Sequence, residues 1–328
     1  MEHLSIYGEA PDFLARIAES APMRRLRDVG MNCGCEYTAF PRFRGIGRYT
    51  RFEHSLGAAM IVWHFTHDEK QAVSALLHDV ATPVFAHVVD FMRGDHLTQT
   101  ATESGTAGII RGSGEICAAL ASLGLTAAEV EDYHIYPVAD NPTPRLSADR
   151  LEYTCGNAIN FSFAAPGEIA ELYSDLTVGE NETGESELMF RTPERALRFA
   201  RIALRCSRLY VCDEDRYAMQ RLSELLRDAA AARVVSEEQL LGTESAVISD
   251  LLSDGEFSAR WRSFCAMSRT ERAGSPGRDG EWRRIRAKKR YIDPYIVSHG
   301  RTGELFAEHG AELAAFLKED QGYYVRGE

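Results

Sequence analysis

Two neighbouring apolar stretches carry groups that are costly to bury. The first stretch reads Arg51-Phe52-Glu53-His54-Ser55-Leu56-Gly57, and the second reads Leu76-Leu77-His78-Asp79-Val80. Imidazole and carboxylate groups at the end of a core helix are unfavourable unless something compensates them. A divalent metal would do so, because imidazole and carboxylate together suit iron, manganese, zinc or nickel. The pattern therefore predicts a metal site, to which other parts of the chain add a further ligand and a pocket.

The pattern of apolar residues predicts a mainly α fold. From Phe52 they recur at helical spacing, and further helices are predicted before Asp79, after Ser147 and over 193–232. Ser147 is suited to cap its helix, which places Asp149 on the first helical turn, facing a cation. We expect a metal-binding core over 1–165 with N-terminal helices, and a mostly helical C-terminal region over 166–328.

A segment near the C-terminus is predicted to form strands rather than a helix. Apolar residues alternate loosely with basic ones before Pro294, which predicts a short β hairpin around 282–297. The basic run 283–290 is interpreted as the solvated face of this hairpin. A local contact with phosphate or nucleic acid is the alternative.

Charge and composition narrow the class of protein. The 328 residues include 49 acidic and 37 basic ones, a net charge of −12, which makes nucleic acid an unexpected partner but permits a local phosphate pocket. No apolar stretch approaches the roughly 18 residues of a membrane span. The start lacks the features of a secretory signal, and the seven scattered cysteines suit reduced thiols. We therefore expect a cytoplasmic protein that does not bind membranes.

Three motifs occur in a recognisable order. Arg-Phe-Glu-His-Ser-Leu-Gly, then Leu-Leu-His-Asp, then Ser-Ala-Asp-Arg-Leu-Glu-Tyr at 147–153 together resemble the HD-domain metal-dependent phosphohydrolases. The resemblance is strongest to the deoxynucleoside triphosphate triphosphohydrolase branch and covers about residues 20–160. It implies an HD-domain helical bundle that holds one divalent metal, either Fe, Mn, Ni or Zn, with Mg as an alternative. The implied ligands are His54, His78, Asp79 and Asp149.

The resemblance also implies roles around the metal. Arg51 lies about one helical turn before His54 and would contact phosphate. Arg150 and Tyr153 flank Asp149 as further substrate contacts. His87 is the first candidate for proton donor to the leaving oxygen, and Glu103 is the second.

Three positions depart from the triphosphohydrolase pattern. Thr82 and Thr102 stand where that branch keeps histidines, and Asn157 stands where many members keep aspartate. The leading hypothesis is a phosphohydrolase that acts on a phosphorylated small molecule, such as a nucleotide, through metal-activated water attack on phosphorus. The alternative is a degenerate HD protein that binds a nucleotide or second messenger as a sensor. A homo-oligomer is expected only by analogy with the resembled branch.

Overall fold

The computed structural model describes residues 3–94, 105–277 and 281–328. Within these residues helices dominate and the strands are short, which confirms the expectation of a mainly α fold. The N-terminal part contains five helices, which are α1 (Asp12–Ala18), α2 (Ala21–Arg24), α3 (Arg51–Thr66), α4 (Glu69–Leu77) and α5 (Val88–Arg93). The next part contains α6 (Thr106–Gly112), α7 (Gly114–Ser122), α8 (Ala148–Asn160) and α9 (Pro166–Ser174).

The rest of the chain mixes helices with short strands. It begins with β1 (Leu176–Glu180), β2 (Ser186–Phe190), α10 (Pro193–Leu209), α11 (Asp213–Ala231), α12 (Glu244–Ser253) and α13 (Gly255–Ala266). It ends with β3 (Thr270–Ala273), β4 (Arg283–Arg284), β5 (Tyr295–Ile296), β6 (Gly300–Arg301), α14 (Thr302–Leu305), α15 (Ala307–Lys318) and β7 (Tyr324–Gly327). No helix in the described ranges has both the length and the apolar content to cross a bilayer.

In the described ranges, two small sheets hold the strands. One has the order β1-β2-β5-β6, with β2 and β5 parallel and the other pairs antiparallel. The other has the order β3-β7-β4 and is antiparallel throughout. The C-terminal strand β7 is therefore the centre of its sheet and ties the end of the chain to two earlier segments.

The hairpin expected around 282–297 is wrong. Its two strands, β4 and β5, belong to different sheets, and the backbone between them is not paired as a hairpin. The apolar residues of this segment also separate, because Ile285 packs in one hydrophobic cluster and Ile292 in another. The loosely alternating apolar residues of this segment thus belong to two different hydrophobic clusters. Sequence periodicity cannot distinguish this arrangement from a hairpin whose apolar residues share one face.

Two large hydrophobic clusters form the interior. The first joins α1, α3, α4, α8 and α10, and α3 packs against both α4 and α8. The second joins the loop around Phe40 and the turn at Phe85 to α11, α12 and α13. Each cluster takes residues from both sides of position 165. The division into regions 1–165 and 166–328 stays a prediction.

Candidate metal centre and its cavity

Three helix ends bring the predicted ligands together. Thr50 and Glu53 form a capping box that starts α3, which places His54 one turn inside the helix. His78 is the residue that ends α4. Ser147 caps α8 through the backbone N–H of Arg150, and Asp149 lies on the first turn, as expected. Helix ends allow polar groups to meet inside an apolar core without breaking a helix.

The donor atoms of three residues face one point. His54 Nε2 lies 3.0 Å from Asp149 Oδ1 and 3.2 Å from His78 Nε2. His78 Nε2 lies 3.5 Å from Asp149 Oδ1. These three residues form the one group in the described residues whose donor spacing suits a metal ion.

The spacing fits a transition metal. Two ligands at right angles around an ion with bonds of about 2.1 Å are about 3 Å apart, and tetrahedral ligands are slightly farther apart. Two imidazole nitrogens that face each other at 3.2 Å also repel unless a proton or a cation lies between them. The donor set and its spacing therefore fit a divalent metal, whose identity these residue types leave open.

Hydrogen bonds fix which nitrogen of each ring faces that point. His54 Nδ1 lies 2.6 Å from Glu152 Oε2, and His78 Nδ1 lies 2.7 Å from the backbone oxygen of Ala75. Both partners are acceptors, so each Nδ1 carries a proton and each Nε2 is the nitrogen left to face a metal. The two rings are held in the orientation that a metal ligand needs.

Glu152 is a part of the site that the sequence analysis missed. It is fully buried on α8 and also contacts His3 Nε2 and the Tyr49 hydroxyl. A Cβ on Gly57 would lie only 2.7 Å from Glu152 Cγ, so the glycine at the end of the first motif makes room for this carboxylate. The spacing of three between Asp149 and Glu152 was the available signal, because it puts both on one face of α8.

Asp79 stands beside the group of three. Its Oδ2 lies 3.6 Å from His78 Nε2 and 3.9 Å from His54 Nε2, but accepts a hydrogen bond of 2.9 Å from Arg51 Nη1. Its Oδ1 accepts a hydrogen bond of 2.6 Å from the Thr82 hydroxyl. Thr82, which stands where the resembled branch keeps a histidine, therefore orients the carboxylate of Asp79.

The site attracts positive charge strongly. Burial lowers the pKa of His54, but its hydrogen bonds to Asp149 and Glu152 outweigh burial and raise that pKa to about 10. Burial raises the pKa of Asp149, but His54 outweighs it and lowers that pKa to about 2. The pKa of Asp79 is held well below its usual range, since the Arg51 charge outweighs burial. A divalent cation would be favoured by the same carboxylates.

A cavity of about 160 Å³ opens next to these residues. The predicted residues His54, His78, Asp79, Asp149, Arg51, His87 and Tyr153 all line it. Aromatic side chains form part of its wall, including Tyr133, Phe91 and Tyr210. Asp215 lines it too, and burial raises the pKa of Asp215 to about 7.

The structure does not bring Arg150 into this cavity. Its guanidinium donates hydrogen bonds to Asn141 Oδ1 at 2.7 Å and to the backbone oxygen of Arg145 at 3.1 Å. Arg150 thus fastens the start of α8 to the preceding loop rather than lining the pocket beside Tyr153. The other acid/base candidate, Glu103, lies outside the described residues, as does Thr102.

Two cations that the sequence analysis assigned to a solvated face line the cavity. Lys288 and Arg290 reach it from the connection between β4 and β5. The basic run therefore contributes two positive charges to a site whose metal donors lie more than 100 residues earlier. Only the alternative interpretation of that run, a local phosphate contact, anticipated this placement.

Comparison with known proteins gives related sequences and a shared fold. No protein-family model matches the chain. It is 27% identical over 306 residues to a protein of Cordyceps militaris named metal-dependent phosphohydrolase cns2, covering 90% of this chain and 84% of that protein. It is 24% identical over 250 residues to the uncharacterized protein YdhJ of Bacillus subtilis, covering 75% and 73% of the two chains.

Solved structures share the architecture at low sequence identity. A hypothetical protein from Aquifex aeolicus superposes with a TM-score of 0.66 at 18% identity, covering 97% of this chain and 92% of that one. A phosphohydrolase from Bacteroides thetaiotaomicron superposes with a TM-score of 0.63 at 14% identity, covering 97% and 96%. The chain has the fold of these two proteins.

Proposed function

We propose that this chain is a metal-dependent phosphohydrolase of the HD type that acts on a phosphorylated small molecule. The observation that carries the proposal is the convergence of His54 Nε2, His78 Nε2 and Asp149 Oδ1 beside a cavity that also contains cations. The name of the Cordyceps militaris relative supports the same enzyme class. Asp79 would be the fourth ligand, for which its Oδ2 would have to exchange the hydrogen bond from Arg51 for the metal.

A bound divalent metal would neutralise charge on the phosphoryl group and lower the pKa of water at the site. The protein's own residues divide the remaining work. Glu152 and the Ala75 carbonyl hold the two imidazoles in the required tautomer. Arg51, released from Asp79, would bind a phosphate oxygen, since a guanidinium matches phosphate geometry. His87, in the cavity wall, would supply a proton to the leaving oxygen.

We propose a nucleotide as the substrate. The support is the combination of cations with aromatic side chains in one cavity, since Tyr133, Tyr153 and Phe91 offer faces on which a base can stack. Phosphate groups would bind toward Arg51 and the metal ligands.

One measurement series tests the function. Purified protein should contain a transition metal by mass spectrometry and should release phosphate from a panel of nucleotides, sugar phosphates and p-nitrophenyl phosphate. The double variant His78→Ala with Asp79→Ala should lose both the metal and turnover. The matched control is His299→Ala with Asp320→Ala, which changes the same residue types at exposed positions. Unchanged metal content and turnover in the His78/Asp79 variant would contradict the proposal.

A sensor is the second candidate. Thr82 replaces a histidine of the resembled branch, and the cavity-facing nitrogen of His87 is already in contact with Arg290 at 3.1 Å. Tight nucleotide binding by the metal-loaded protein without phosphate release over hours would favour this candidate over the hydrolase.

A further inference from the structure

The two nitrogens of His87 have different partners. Nδ1 lies 2.9 Å from Asp90 Oδ2 on α5, the helix that His87 begins. Nε2 lies 3.1 Å from Arg290 Nη2, which comes from the connection between β4 and β5. His87 and Arg290 both line the cavity that holds the metal donors. A side chain from the C-terminal part therefore contacts the His87 nitrogen that is not paired with Asp90.

This contact fixes the protonation state of the ring. A guanidinium is always charged and only donates hydrogen bonds, so His87 Nε2 must accept from Arg290. Nδ1 then carries the proton and donates a hydrogen bond to Asp90 Oδ2. In this arrangement His87 has no proton to give on the cavity side, although that is where a leaving oxygen would lie.

The charged groups and the burial around His87 favour a neutral ring. Burial is the largest cause that holds the pKa of His87 well below its usual range, and the charges of Arg290, Arg51 and Lys288 act in the same direction. The Asp79 carboxylate opposes them. The Asp90 carboxylate and the Cys33 thiol, which interacts with the His87 backbone, also face this residue.

We propose that Arg290 binds the phosphate of the substrate and, in moving to it, frees His87 Nε2 to take up the proton that the leaving oxygen needs. The proposal rests on the proposed function and adds a residue to it. Arg290 would be a substrate-binding residue whose movement couples phosphate binding to the protonation of His87.

Elementary electrostatics favours the movement of Arg290 from His87 Nε2 to a phosphate. A phosphate dianion forms charge-assisted, two-point hydrogen bonds with a guanidinium, which are stronger than the bond to a neutral imidazole nitrogen. Once Arg290 has turned to the phosphate, one cation no longer faces Nε2 and a dianion lies close by. Both changes favour the protonated ring.

The chemical step then balances. The oxygen of one water bonds to phosphorus as the bond between phosphorus and the leaving oxygen breaks. The leaving oxygen takes the proton from His87 Nε2. The proton released by the attacking water passes to solvent and restores the proton that His87 took from solvent. The products are an alcohol, or a shorter phosphate, and inorganic phosphate.

Two neighbours of Arg290 anchor its segment to the C-terminal part of the chain. The backbone N–H of Ala287 donates to Gln321 Oε1 at 2.9 Å. Lys289 Nζ donates to the backbone oxygens of Phe316 and Leu317, both at 2.9 Å, at the end of α15. The end of α15 and the residues that follow it thus hold the segment of Arg290 at the cavity.

The first experiment follows the His87 ring directly and does not need turnover. The full chain, labelled with ¹⁵N-histidine and loaded with diamagnetic Zn²⁺, is titrated with pH by NMR with and without inorganic phosphate. The His87 signals are assigned from their loss in His87→Gln. Phosphate should raise the His87 midpoint by about one pH unit or more in the wild type. Arg290→Met should have a higher midpoint without phosphate and a smaller shift with it.

The second experiment measures turnover. Arg290→Met should lower kcat/KM for p-nitrophenyl phosphate by about 10- to 100-fold, the loss expected for one charge-assisted hydrogen bond to phosphate. Arg290→Lys should recover part of that loss because it restores the charge. Arg286→Met is the matched control, since Arg286 is exposed and does not line the cavity. Melting by circular dichroism checks that each variant is folded.

Three results would overturn the inference. They are phosphate binding that leaves the His87 midpoint unchanged, an equal shift in Arg290→Met, and no binding of phosphate by ³¹P line broadening. The two proposals fail separately. A His87 shift without hydrolysis of any substrate would reject the hydrolase, whereas hydrolysis without a His87 shift would reject the role of Arg290.

Discussion

Glu152 Oε2 lies 2.6 Å from His54 Nδ1, and this contact decides which nitrogen of His54 faces the candidate metal. The carboxylate is fully buried on α8, and the imidazole is buried on α3. The contact therefore joins the two helices that carry the first and last of the proposed ligands.

Glu152→Gln should weaken metal binding by about 10- to 100-fold, the usual cost of losing a group that orients a metal-bound histidine. The amide is nearly the same size and keeps an acceptor oxygen, but without the charge its bond to His54 Nδ1 is weaker and His54 becomes a poorer metal ligand. Competition with a chromophoric chelator measures the affinity. Glu168→Gln, which removes a carboxylate paired with Arg198 at the surface, should leave it unchanged. Equal affinities in the Glu152 variant and the wild type would contradict this role.

Gly57→Ala should destabilise the protein by roughly 1–3 kcal/mol, although alanine is the better helix former. The added Cβ would lie 2.7 Å from Glu152 Cγ, and the three partners of Glu152 prevent it from moving aside. Urea unfolding measures the change. The matched control is Gly108→Ala on α6, where nothing lies within 4 Å of the new Cβ. That variant should be as stable as the wild type or slightly more stable, and a similar loss in both would argue against crowding at Glu152.

Glu244→Ala should lower the free energy of unfolding by roughly 3 kcal/mol, because it leaves several buried donors without an acceptor. Glu244 on α12 accepts from the backbone N–H groups of Gly30 and Phe85, at 2.8 and 3.2 Å, and from the Tyr37 hydroxyl at 2.7 Å. These contacts support the loop before α3 and the turn before His87. Glu244→Gln keeps an acceptor oxygen and should cost less. Urea unfolding that ranks the two variants in the opposite order would reject this explanation.

Glu36→Gln should change how stability depends on pH. Burial, and secondly the Glu244 carboxylate, raise the pKa of Glu36 from 4.5 to about 8. The folded protein therefore holds a proton that the unfolded chain releases near 4.5. The stabilisation from this proton is complete below about pH 4.5 and is lost as the pH rises through about 8.

The variant keeps a neutral group at every pH, so its stability relative to the wild type should rise between pH 5 and 9. Thermal or urea unfolding at several pH values measures that difference. Glu237→Gln, a change at an exposed carboxylate, should show no such trend. A constant difference between Glu36→Gln and the wild type would mean that Glu36 titrates similarly in both states.

The sequence by itself determined the helical class and much of the candidate site. Helical spacing and the Ser147 cap placed Asp149 on a first helical turn, and the order of the three motifs, through their resemblance to HD-domain proteins, implied His54, His78 and Asp149 as ligands. The resemblance also implied Arg51 and Tyr153 as substrate contacts. Both line the cavity, although Arg51 is paired with Asp79.

Only the tertiary structure decided the rest. Arg150 and Asp149 are adjacent in sequence, yet Arg150 turns to Asn141 and Arg145 because successive helical residues face different directions. Arg290 approaches His87 across 203 positions of sequence, through a connection between two sheets that resembled one hairpin. Periodicity records which residues are buried, but not which distant segments share the same core. The contacts that orient His54 and His87 therefore depend on packing that the linear pattern does not contain.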